Sequence, residues 1–317
     1  MVPVSIIYSG SLSCITVYKS ERIEIQFGKK LPEKRNAITL HPLITSRNHT
    51  MQFRFHTPST KLRPYIRSFW NLECGAGEPT VTERVIPTGS FQMMFHYRNP
   101  FRSVTSEGKE QQQPRTLISG PGIAFSDVST TGASGVWAVV FEPAFAGCFL
   151  PCPAGEIGNQ TLSLGEIFQN EIAQLEEELF LASQDSKRIG LIESFLLRHF
   201  RPLPHYMQKL ALTAIRHIHD RIDGFTSSDL AYGLGLSPRS LERHFASLVG
   251  TTPKHYMQLI RFRQTTEILM KGQYSDLTEL GLRQGYYDQS HFIREFKAYS
   301  GYTPGEFARI CCRPATD

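Results

Sequence analysis

The chain has little of what marks several common protein classes. Six of its 317 residues are cysteine, and no Cys-x-x-Cys pair occurs. That is too sparse for a disulfide framework or a thiolate metal site. Cys148 and Cys152, and the adjacent Cys311 and Cys312, read as ordinary thiols of a reducing compartment. No run of about 18 apolar residues exists, so no membrane span is expected. The opening MVPVSIIYSG has no basic leader before an apolar block, so no secretory signal is read there and the expected location is the cytoplasm. Between residues 51 and 198 the only histidines are His56 and His96, with no His-x-His pair. A metal-dependent β-barrel enzyme would need clustered histidines and carboxylates there. Gly-x-Ser-x-Gly, phosphate-loop and dinucleotide glycine motifs are missing as well. The expectation is a non-enzyme with no cofactor and no metal.

Strong charge is also lacking. Lys+Arg number 34 against 29 Asp+Glu, a formal net charge of +5. Residues 206–317 hold 14 basic and 11 acidic side chains. That balance excludes strong nonspecific attraction to phosphates; a nucleic-acid binder of such modest charge would lean on base contacts and dimerisation.

What is present is concentrated in LSPRSLERHF, residues 236–245. Ser237 followed by Pro238 is a helix start: the serine oxygen caps free N–H groups, and proline at the first helical position loses nothing it needs. Leu236 and Leu241 have the spacing of a hydrophobic staple. Leu241, Phe245 and Leu248 form a buried stripe, which turns Arg239, Glu242 and Arg243 outward. Gly250 is a natural left-handed stop. Upstream, Thr226 stands three residues before Asp229, a capping-box pattern opening a second helix, with Gly235 at the turn. Helix, glycine turn, outward-facing helix is a helix-turn-helix, and its second helix fits the major groove.

The pattern recurs 51 residues later. Leu241, Arg243, Phe245, Gly250, Pro253 and Tyr256 correspond to Phe292, Arg294, Phe296, Gly301, Pro304 and Phe307, with Asp288 in the capping place of Ser237. Residues 253–272 suit one connecting helix. Two reading heads on one rigid linker could enter successive major grooves, roughly 34 Å apart.

These residues, LAYGLGLSPRSLERHF and GYYDQSHFIREFKAYSGYTPGEF, resemble the AraC/XylS transcription regulators, and the likeness covers roughly 207–310. The resemblance implies that Arg239, Glu242 and Arg243 of the first recognition helix face bases, and that Gln289, Ser290, His291 and Arg294 of the second do so. Gly281 departs from the alanine usual there, a cost to the helix of up to about 1 kcal/mol. Thr265 departs from another alanine in the connecting helix.

The N-terminal half reads as strands. SFQMMFHYR (90–98) alternates, as does SGVWAVVFEP (134–143), and ISGPG (118–122) supplies a turn. Residues 101–115 read as an exposed hairpin loop, and ITVYKSERIEIQF (15–27) has strand alternation of its own. ERVIPTGSFQMMFHY and VVFEPAFAGCFLP resemble, more weakly, the sensor-type domain of one subgroup of these regulators. Pro87-Thr88-Gly89 stands where that subgroup has Pro-Asp-Gly. Trp70, Phe91, Phe95, Trp137 and Phe141 are candidates to line a ligand pocket, or else plain core; Arg84 and His96 are the polar groups to orient a ligand. Residues 162–182 and 186–200 read as two amphipathic helices, the first with Ile167, Ile172, Leu175, Leu179 and Phe180 on one stripe. They either cover the barrel or supply a dimer surface.

The fold expected is therefore α+β with two domains. Residues 1–50 are an extension, with Met51 at the head of the domain proper. Residues 51–200 form a small β-barrel or sandwich with two helices that senses or dimerises, and 201–206 a linker. Residues 207–310 form an all-α DNA-binding domain of two helix-turn-helix motifs joined by a long helix, and 311–317 a tail. The function expected is a bacterial-type transcription regulator, controlled by ligand or dimerisation. Its partners would be promoter double-stranded DNA and RNA polymerase, with a homodimer and a small-molecule effector left open, and no membrane. A bifunctional protein with a catalytic N-terminal domain and a ligand-independent DNA binder are the alternatives.

Overall fold

The computed structural model describes residues 4–6, 15–17, 51–220 and 225–311. Its N-terminal part is two facing sheets. The first holds β1 (Val4–Ile6), β2 (Ile15–Val17), β5 (Thr82–Val85), β7 (Arg102–Thr105), β8 (Glu110–Gln112) and β10 (Ser126–Ser129), in the order β2-β1-β5-β10-β7-β8. The second holds β3 (Met51–His56), β4 (Ile66–Cys74), β6 (Gln92–His96), β9 (Thr116–Ser119), β11 (Ser134–Phe141) and β12 (Thr161–Ser163), in the order β12-β9-β6-β11-β4-β3. The pairings are antiparallel except the single-residue pairing of β1 with β5 at Val4 and Arg84. The stretch 101–115 is itself the β7–β8 hairpin. Outside β1 and β2, residues 1–50 lie beyond the described residues, as do 221–224 and most of the tail.

Strand β11 sits at the centre of the second sheet and is buried along its whole length. Its odd residues, Trp137, Val139 and Phe141, share one core with Phe91, Met93, Phe95 and the helices. Its even residues, Val136, Ala138 and Val140, share another core with Phe53, Trp70, Leu72 and Phe101 between the sheets. A strand buried on both faces gains apolar contacts from every side chain, which suits the run GVWAVVF.

Five helices complete this half and the connection. They are α1 (Ala154–Ile157), α2 (Leu164–Phe168), α3 (Asn170–Leu181), α4 (Asp185–His199) and, beyond the linker, α5 (His205–Asp220). The single helix read over 162–182 is broken. Residues 161–163 are strand, and Gln169 takes a left-handed φ of 49° between α2 and α3. The break separates Ile167 from the stripe of α3; within α3, Ile172, Leu175 and Leu179 are buried, while Phe180, a residue beyond Leu179 and about 100° round the helix from it, is 63% exposed. Buried Arg188 of α4 donates to the carbonyl of Leu179, satisfying an end of α3 that no further helix turn reaches.

The C-terminal part is helical: α6 (Ser227–Gly233), α7 (Pro238–Val249), α8 (Pro253–Met270), α9 (Leu277–Arg283), α10 (Gln289–Ser300) and α11 (Pro304–Cys311). The two clusters of core residues here meet on α8. Tyr256 and Ile260 pack with α5, α6 and α7, whereas Leu259, Phe262 and Leu269 pack with α9, α10 and α11. An α8 buried on two sides carries its apolar residues around its girth.

Candidate nucleic-acid interface and N-terminal cavity

Each unit is built by local chemistry that its residues dictate. Thr226 and Asp229 form a reciprocal capping box at the start of α6. Ser237 accepts from the Ser240 N–H and Pro238 occupies the first turn of α7. Asp288 accepts from the His291 N–H at 2.7 Å and opens α10. Gly250 and Gly301 end α7 and α10 with φ of 79° and 76°. Those left-handed caps are open to glycine at no steric cost. The first helices, α6 and α9, repeat at an offset of 50, not 51. The extra residue lies in the second turn: Tyr286 is buried where Leu236 packs, and Tyr287 is added beside it, 88% exposed.

Among the described residues, the faces opposite the buried stripes are exposed. Arg239, Glu242 and Arg243 are exposed on α7, and Gln289, Ser290 and Arg294 on α10. His291 is only half-buried in solvent terms, and its ring is committed locally. Its Nδ1 accepts from the Tyr287 N–H at 3.2 Å, and its Nε2 faces Glu295 at 3.3 Å. Glu295 in turn accepts from Gln258 of α8 at 3.0 Å. His291 thus ties the turn and α10 to the linking helix.

Strand β5, the loop after it and Phe125 before β10 reach both units. Phe91 lies against Gly250, where a Cβ would fall 2.5 Å from its ring. Arg84 and Phe125 lie against Gly301, where a Cβ would fall 2.5 Å from the Arg84 guanidinium and 2.8 Å from Phe125. The two residues touched are equivalent glycines of the repeat. Arg84 pairs through two nitrogens with Asp127 at 2.8 Å and is stacked between the rings of Phe125 and Tyr302, 4.0 and 4.7 Å from their centroids. Between these two contacts, Arg263 of α8 donates to the Thr88 carbonyl at 2.8 Å, and Gly89 packs on Leu259 and Tyr256. At Pro87-Thr88-Gly89 it is a backbone carbonyl, not an acid side chain, that meets the DNA-binding part.

Behind that loop, between the sheets, is a cavity of about 190 Å³. Its walls include Trp70 and Leu72 of β4, Gln92 and Met94 of β6, Phe101, Leu117 and Val128, with Ile86, Pro87 and Thr88 lining it from the loop.

Residues 230–310 match the family described as a helix-turn-helix domain, and 54–163 one described as a domain of unknown function, DUF6597. A curated Rhodococcus erythropolis protein, "Probable thc operon regulatory protein", is 30% identical over 86 residues, 26% of this chain and 26% of that one. The chain therefore spans about a quarter of the length of that relative. A Chromobacterium violaceum transcriptional regulator described as containing an AraC-type DNA-binding domain is 26% identical, covering 35% of this chain and 100% of its own, with a TM-score of 0.32. ToxT from Vibrio cholerae is 12% identical, covering 74% of this chain and 99% of its own, with a TM-score of 0.40.

The C-terminal domain is an AraC-type helix-turn-helix domain. Its first helix, α5, has no counterpart in the motif-by-motif reading. It supplies Ala211, Ala214 and Ile218 to the first unit's core, and only the spacing of those small residues could have signalled it. Gly281 is also more than a weak point of the AraC-type domain. A Cβ there would fall 2.7 Å from the Phe292 ring. Gly281 is what lets a phenylalanine stand where the first unit has Leu241.

The ligand candidates of the N-terminal half need correction. Of the seven, only Trp70 lines the cavity. Phe91, Phe95, Trp137 and Phe141 point to the opposite side of the second sheet, into the core beneath the helices. Alternation on β6 was read rightly, but the aromatic face is the helix-covered one, and Gln92 and Met94 face the other sheet. Arg84 points at Tyr302, away from the cavity. His96 is buried, its Nδ1 is 3.1 Å from the Arg115 carbonyl, and its ring stands edge-on to Phe101. Burial pushes its pKa down to about 4, so it is neutral at pH 7.

Among the described residues no three His, Cys, Asp or Glu side chains gather as a metal site, and no helix is long and apolar enough to cross a membrane. Burial raises the pKa of Cys74 and Cys152 and pushes Cys148 up to about 11, so none of the three is an activated thiolate.

Proposed function

We propose that this protein is a sequence-specific transcription regulator acting on promoter double-stranded DNA in the cytoplasm. The observation that carries this reading is the pair of capped helices, α7 and α10, with Arg243 and Arg294 exposed at equivalent places and Phe245 and Phe296 buried behind them. Arginine reads guanine through two hydrogen bonds in the major groove, and flanking polar side chains such as Gln289 and Ser290 supplement it. Exposed Tyr287, at the added residue of the second turn, is placed for a phosphate contact.

The N-terminal domain would act as receptor and brake. One segment, residues 84–91 of β5 and the loop after it, touches both helix-turn-helix units at their cap glycines and lines the cavity. Filling the cavity would shift that segment against both units. Homodimerisation would add to a DNA affinity that modest charge leaves low, and activation would proceed through contact with RNA polymerase.

Selection of bound sequences from a random duplex library tests the DNA reading. Two short blocks separated by about one helical turn are expected. A fragment beginning at residue 204 should select the same blocks. Retention of DNA without sequence preference by a folded full-length chain would overturn the reading.

A further inference from the structure

The repeat lets the outward faces of α7 and α10 be compared position by position. Three exposed places correspond: Arg239, Glu242 and Arg243 on α7, and Ser290, Ile293 and Arg294 on α10. Residues three and four apart share a helix face, so each trio would enter a groove together. Arginine is common to both faces only at the third place. At the middle place one face has a carboxylate and the other a branched alkyl group. Among the described residues, no ion pair or side-chain hydrogen bond engages Glu242. Ile293 is 37% exposed and does not belong to the core of its unit. The two faces therefore present opposite chemistry at their centres.

A carboxylate only accepts hydrogen bonds. In the major groove guanine and thymine would meet it with acceptors, adenine offers one donor beside an acceptor, and cytosine offers a donor alone. Cytosine is thus the base that a desolvated Glu242 matches, and every other base leaves its charge unpaired at a cost. The guanine paired with that cytosine presents two acceptors, which suit Arg239 or Arg243 beside Glu242. Ile293 has the opposite need. Its match in the groove is an apolar one, the C5-methyl of thymine. Gln289 is exposed one turn before Ile293 and carries the donor and acceptor that pair with adenine, the partner of thymine.

We propose that Glu242 and Ile293 determine the specificity of the two units, Glu242 by selecting a cytosine in one block and Ile293 by selecting the methyl group of a thymine in the other. This rests on the reading of the protein as a sequence-specific DNA binder and goes further by naming the bases that each unit discriminates.

The full chain, Glu242→Gln and Ile293→Ala are each used to select sequences from a random duplex library, with melting curves measured alongside. In one wild-type block a cytosine should be preferred about tenfold or more over the other bases. In Glu242→Gln that position should change to adenine, because the amide adds the donor that adenine N7 accepts. If that variant does not fold, Glu242→Ala serves and should accept any base there. Ile293→Ala should lose the preference for one thymine in the other block. Replacing that thymine by uracil removes only the methyl group. It should weaken the wild type about fourfold, the worth of burying one methyl group, and leave Ile293→Ala unchanged. A base other than cytosine at the position altered by the Glu242 variants would overturn the inference, as would variant profiles identical to the wild type's. Equal effects of uracil on the wild type and on Ile293→Ala would overturn the thymine assignment. In each of these cases two selected blocks a helical turn apart would leave the DNA-binding reading standing. A folded wild-type chain that selects no sequence would overturn both.

Discussion

The two helix-turn-helix units share their caps and differ in their interiors. In the first, Ala231 and Leu241 meet across the motif, and in the second Gly281 and Phe292 do. The side chain is moved from one helix to the other while the space between them stays filled. Interiors pack to the density of organic crystals, so a methyl group lost on one side must reappear on the other. The outer contacts differ in the same spirit. The first cap is covered by an aromatic ring, Phe91, and the second by a cation held between two rings, Arg84 with Phe125 and Tyr302. Backbone ends are governed by what a φ angle and an orphan N–H require, and those requirements are the same in both copies. Packing requires only a conserved total volume, which many residue pairs satisfy.

The largest effect should come from an interior ring the units share. Phe245→Ala and Phe296→Ala should each lose about 3–5 kcal/mol of stability in denaturant unfolding, through the cavity left behind. A much smaller loss in one copy would mean that this unit contributes little to the common core.

Next comes the exchange of volume. Gly281→Ala should destabilise by about 1–3 kcal/mol through overpacking against Phe292, despite the roughly 1 kcal/mol by which alanine favours a helix. Adding Phe292→Leu should recover most of that loss, because the pair then matches Ala231 and Leu241. A single Gly281→Ala change that stabilised the protein would show that Phe292 does not approach the helix as described.

On the exposed faces the units should look alike again. Arg243→Ala and Arg294→Ala should each weaken specific DNA binding by about 1–3 kcal/mol and relax preference at different base pairs. Melting temperatures should hardly move, since an exposed charge contributes little to folding. Titration of each variant against a site library, beside its melting curve, gives both answers.

The smallest effect should separate the units from outside. Phe125→Leu should cost about 1 kcal/mol and speed amide exchange near Gly301 while leaving Gly250 unchanged. Phe91→Leu should do the reverse. Equal acceleration at both glycines in either variant would mean that the loop does not grip the units separately.

The legibility of the molecule divides along the same line. The caps at Thr226, Ser237, Asp288, Gly250 and Gly301 could be read because each depends on residues within one turn. The outward placement of Arg243 and Arg294 followed from the buried stripes beside them. The break at Gln169 could not be read, since IFQNEIAQL is compatible with one continuous helix and only the turn from β12 onto the sheet requires a bend. Phe180 is exposed for another reason: it lies about 100° round α3 from the stripe of Ile172, Leu175 and Leu179. The cavity was misplaced by one residue. On β6 both Phe91/Phe95 and Gln92/Met94 are consistent strand faces, and a period of two says nothing about which one meets the helices.

By itself, then, the sequence determined the tandem helix-turn-helix, its caps, its linking helix and its two exposed faces, because these arise from hydrogen bonds and periodicities spanning a few residues. Only the tertiary structure decided that β5 and the loop after it, Arg84 to Phe91, reach the equivalent glycine in both units and line the cavity between the sheets. Those contacts join residues more than 150 positions apart, and they depend on which side of each strand finds a covering layer rather than on any local preference.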